Sequence, residues 1–83
     1  MYLEGPERRR DERKAFFWTR RAALAGDRDA QYTLAQMYET GRGGVRNLVG
    51  AYVWYQIALA SGHESAHTPF ERLKHSLVIF RQD

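Results

Sequence analysis

Displacing the sequence on itself by 36 residues superimposes Ala15, Trp18, Ala22, Gly26 and Ala30 on Ala51, Trp54, Ala58, Gly62 and Ala66. The steps between them are 3, 4, 4 and 4 residues, so the first three of each set share one helical face. Phe16 on Tyr52 keeps an aromatic ring in both copies. A fixed period of about 20–50 residues marks architectures in which each unit buries its apolar face only by stacking on the next. It predicts an all-α fold, a small helical repeat module of about four helices.

The totals agree with a small module. A chain of 83 residues buries only about 60–65% of the surface it exposes when unfolded, so its core is thin. It has no cysteine, hence no disulfide and no thiolate metal site. The start lacks a basic segment followed by an apolar one, and no apolar run reaches the ~18 residues of a membrane span. With a net charge of only +3, the expectation is a soluble, cytoplasmic protein. Its organisation reads as a charged helix start over residues 1–14 and a repeat module over 15–83 that ends in a capping helix.

Taken in order, Gly5-Pro6 opens a first helix from Glu7 to Ala25, with Ala15, Trp18 and Ala22 as its buried stripe and Gly26 as its stop. Phe17 and Leu24 fall opposite that stripe. Asp27 caps a second helix, Arg28 to about Thr40, whose core face is Ala30, Leu34, Met37 and Tyr38. Tyr32, Gln36 and Glu39 gather on its other side. Gly41-Arg42-Gly43-Gly44 forms the turn into a third helix, capped by Asn47 and running from Leu48 to Ser61. That helix carries two apolar stripes, one with Ala51, Trp54, Tyr55 and Ala58, the other with Val49, Val53 and Ile57. Two stripes predict burial on both sides, with Trp54 as a core anchor. Thr68-Pro69-Phe70-Glu71 reads as a capping box that starts a fourth helix to about Arg81. Its seam is Phe70, Leu73, Leu77 and Phe80, with Val78 and Ile79 off the seam.

These residues resemble a known family. Ala30-Gln31-Tyr32-Thr33-Leu34-Ala35-Gln36-Met37-Tyr38, then Gly41 and Gly43, the Asn47 cap, Ala51, Trp54-Tyr55, Ala58 and the closing Gly62 are similar to the Sel-1-like repeat, a relative of the tetratricopeptide repeat. Gly44, Val45 and Gly50 depart from the family's habits without breaking the pattern. The likeness covers one whole repeat, the second half of a preceding one at 15–26, and a capping helix. It implies an α-solenoid, a right-handed superhelix of antiparallel helix pairs, that binds protein segments in a groove lined by the first helix of each pair. On that pattern Tyr32, Gln36 and Glu39 are the expected groove residues. Phe17, Leu24, Val78 and Ile79 are the expected surface for a homodimer or for a protein partner, because a stack this short leaves apolar residues uncovered.

One motif asks for an enzyme. His63-Glu64-Ser65-Ala66-His67 has the H-E-x-x-H spacing that holds zinc on one helical face with Glu as general base. Pro69, two residues later, would break such a helix at a cost of about 3 kcal/mol. The reading is therefore a turn, with no catalytic residue, no metal and no cofactor. The Gly-rich turn lacks the preceding strand and following Lys-Ser or Lys-Thr of a phosphate loop. The remaining alternative to a protein-binding adaptor is an anionic partner such as nucleic acid, held by Arg8, Arg9, Arg10, Arg13, Lys14, Arg20 and Arg21. Interspersed Glu7, Asp11 and Glu12 weaken that strip.

Overall fold

The two middle helices form where the sequence supplies both a starting and a stopping signal. The computed structural model describes residues 6–81, and side chains from residue 10 to residue 77. Helix α1 spans Pro6–Leu24, α2 Arg28–Thr40, α3 Leu48–Ala60 and α4 His67–Arg81. Among the described residues there is no strand, and no helix is long and apolar enough to cross a membrane. The side chains of Arg8, Arg9, Val78, Ile79 and Phe80 lie outside the described residues, so the expectations placed on them are not addressed by it.

The caps are those the residue types dictate. Asp27 accepts from the backbone N–H groups of Asp29 and Ala30 at 3.0 and 3.3 Å, which satisfies two of the orphan donors at the start of α2. Asn47 does the same for α3 by accepting from the N–H of Gly50 at 2.9 Å. Past the end of α1, the Asp27 N–H returns to the Ala22 carbonyl and that of Gly26 to Ala23, around a left-handed Gly26.

The start of α4 differs from the expected capping box. Residues Glu64–Ala66 form a 3-10 turn that leads straight into α4, and His67 is already helical. Thr68 is thus inside the helix rather than at its cap, and the His67 N–H is satisfied by the Glu64 carbonyl. Pro69 still falls within the first turn, where no N–H is needed.

The core lies between α2 and α3, which pack more extensively than any other pair. Ala35, Ala51 and Ala58 are fully buried, so these two helices approach closely over small side chains, with Ala66 and Leu73 of the next segment closing one end. Leu34 and Tyr55 are the largest fully buried side chains. Each such residue contributes about 1.5–3 kcal/mol of apolar burial. Trp54 packs against this cluster while staying half-buried, so the anchor of the expected stripe is its neighbour Tyr55.

Two predicted burial patterns are corrected. On α1 the stripe Ala15–Trp18–Ala22 is not the buried one: Ala15 is exposed, Trp18 is 60% exposed and Ala22 is half-buried. The face one residue on meets α2 instead. Phe16 sets its ring edge-on to Tyr38 at 5.5 Å, and Ala23 is buried with its carbonyl accepting from the Gln31 side chain at 3.2 Å. On α3 the second stripe is open, with Val49 and Val53 exposed. Both patterns mark apolar faces correctly, but α1 and α3 have different neighbours, and burial follows the neighbour.

Candidate functional site

The expected groove residues sit on α2 in three different situations. Tyr32 is half-buried against the core, stacked on the His63 ring at 4.4 Å with an interplanar angle of 14°, and edge-on to Tyr55 at 5.8 Å. Glu39 is half-buried too. It accepts from the Tyr55 hydroxyl at 2.8 Å and from the Arg72 guanidinium of α4. Gln36 is exposed. The helical wheel's placement of all three opposite the core therefore describes Gln36, whereas Tyr32 and Glu39 turn toward α3 and α4. Rings and long side chains reach around a helix, and the wheel records only where each Cα–Cβ bond starts.

The Glu39 cluster links α2 to α3 and α4. Burial pushes the Glu39 carboxyl up, but hydrogen bonds from Arg72 and Tyr55, with the charges of Arg72 and Arg46, outweigh it and hold the group below its ordinary range. Burial, followed by the hydrogen bond to Glu39, drives the Tyr55 hydroxyl well above its ordinary value, so it stays a donor. Arg46 adds a bond from its Nε to the Glu39 carbonyl at 3.1 Å. The repeat period held a signal for this contact: 36 residues beyond Glu39 is His75, and Arg72 is one turn before it. First helices of successive repeats lie side by side, so residues near one period apart are neighbours.

On the other flank of Gln36 lies a cleft of about 510 Å³ between α1 and α2. It is lined by Glu12, Thr33, Gln36, Met37, Thr40, Gly41 and Arg42. Arg42 and Glu12 stand 3.9 Å apart at its mouth. The Thr40 hydroxyl bonds back to the Gln36 carbonyl at 3.0 Å. Beside the charged Glu12 and Arg42, the cleft's polar lining consists of hydroxyl and amide groups, which both donate and accept hydrogen bonds.

The zinc-peptidase spelling does not become a zinc-peptidase site. His63 has extended backbone angles and precedes the 3-10 turn, whereas His67 begins α4, so the two rings do not share a helical face. They also face different acids. His63 Nε2 lies 3.4 Å from Asp29 of α2, and His67 Nε2 lies 3.9 Å from Glu71 of α4. Among the described residues no group of three or more His, Cys, Asp or Glu could hold a metal ion. Calorimetric titration with zinc is expected to show no tight stoichiometric site. One tightly held zinc per chain, lost on Glu64→Gln, would restore the enzyme reading.

Two residues of the expected association surface, Phe17 and Leu24, lie on α1. Phe17 and Leu24 are both exposed, and Phe17 meets Trp18 edge-on at 5.2 Å. The Arg21 guanidinium stands 5.4 Å from the centre of the Trp18 ring and 5.9 Å from that of Phe17.

Comparison with known proteins gives two matches that bear on this geometry. The family model of the Sel1 repeat matches residues 1–27 and 28–63, which splits the chain between α1 and α2. The chitin synthase regulator SKT5 of Saccharomyces cerevisiae is 46% identical over 65 residues, covering 76% of this chain and 9% of that protein. The chain therefore spans under a tenth of that relative's length. No solved structure matches the chain.

Proposed function

Since this chain belongs to the Sel1 repeat family, we propose that it is a protein–protein interaction module, a cytoplasmic adaptor that holds a segment of a partner protein along the open face of α2. Sel1 repeats generally mediate contacts between proteins. The yeast relative is named as a regulator of chitin synthase, and a regulatory role without catalysis is proposed here for this chain.

The observation that carries the reading is the position of Gln36. Its exposed amide lines the α1–α2 cleft together with Thr33 and Thr40, while the Glu39–Arg72 pair lies on the other flank of α2 and links it to α4. An amide offers both a donor and an acceptor, which is what an extended peptide backbone requires. Tyr32 and Glu39 complete the proposed groove as walls. Because they also hold α2 to its neighbours, substituting them would confuse binding with folding.

The test therefore uses Gln36. A photo-crosslinking side chain at position 36 is expected to capture a partner protein reproducibly, and the same side chain at exposed Val49 to capture much less. Gln36→Arg should then weaken that partner by at least about tenfold while leaving the thermal midpoint unchanged. Equal capture at both positions, or unchanged affinity in Gln36→Arg, would remove the groove from α2.

A further inference from the structure

We draw no further inference here: the strongest candidate, the uncharged outer face of α3 that exposes Val49 and Val53, carries none because nothing in the structure shows what covers it.

Discussion

Tyr55→Ala is expected to cost about 3–5 kcal/mol, enough to leave much of the chain unfolded at physiological temperature. A domain of this length is stabilised by roughly 0.05–0.15 kcal/mol per residue, so the loss is comparable to the whole margin. Tyr55 is 1% exposed and stands in the centre of the α2–α3 contact among Ala35, Ala51 and Ala58. Alanines already hold the backbones close, so little remains to collapse into the space left by the ring. The hydroxyl adds a second component, because its bond to Glu39 helps place that carboxylate for Arg72. Tyr55→Phe isolates this part and should cost about 1–2 kcal/mol, leaving the helices folded. Urea denaturation followed by circular dichroism measures both. A Tyr55→Ala variant that unfolds within a few tenths molar of wild type would show that the core lies elsewhere.

The second large effect is expected at Gly43. Its φ is +78°, and a Cβ there would stand 2.6 Å from the Glu12 carbonyl oxygen and 2.9 Å from the Phe16 Cβ. The first of these atoms belongs to the backbone of α1 and cannot rotate away. Gly43→Ala therefore adds a steric conflict to the ordinary cost of a left-handed non-glycine residue, about 1–2 kcal/mol. Gly26 provides the control, since its φ is +102° and nothing lies within 4 Å of the added atom. Gly26→Ala should show the conformational cost alone. Gly43→Ala should lose about twice as much or more, and should loosen α1 from the α2–α3 turn. For a chain this small, about 1 kcal/mol moves the melting temperature by some 4–8 °C, so thermal melts separate the two readily. Equal shifts for the two variants would mean that α1 does not approach the turn this closely.

The two substitutions probe features that were unequally legible. Gly43 belongs to a glycine pair whose spacing in the sequence already announced a tight turn, but nothing local said that α1 would press against it. Tyr55 lay in the right stripe, yet Trp54 beside it looked the better anchor. A larger ring has more surface to bury, and whether it is buried depends on the helix opposite. The Glu39–Arg72 contact was readable in outline from the repeat period. The Gln31 side chain, buried and bonded to the Ala23 carbonyl, had no such signal.

The end of α1, the starts of α2 and α3 and the turns between them were determined by the sequence itself, whereas the start of α4 was not. Asp27 and Asn47 cap because a short polar side chain can reach the N–H groups of the next turn, and Gly26 ends α1 because a residue without Cβ takes the left-handed conformation freely. These are interactions between residues a few positions apart, so local order suffices to specify them. Which apolar face is covered was decided only by the tertiary structure. Ala15–Trp18–Ala22 and Ala51–Trp54–Ala58 are the same pattern, yet the first is largely open while the second lies under α2 or against its edge. Likewise Val49 and Val53 are as apolar as the residues that fill the core and remain exposed. A periodic stripe encodes a face that gains free energy by leaving water. Burial also requires a second surface, and the position of that surface is a property of the assembled helices.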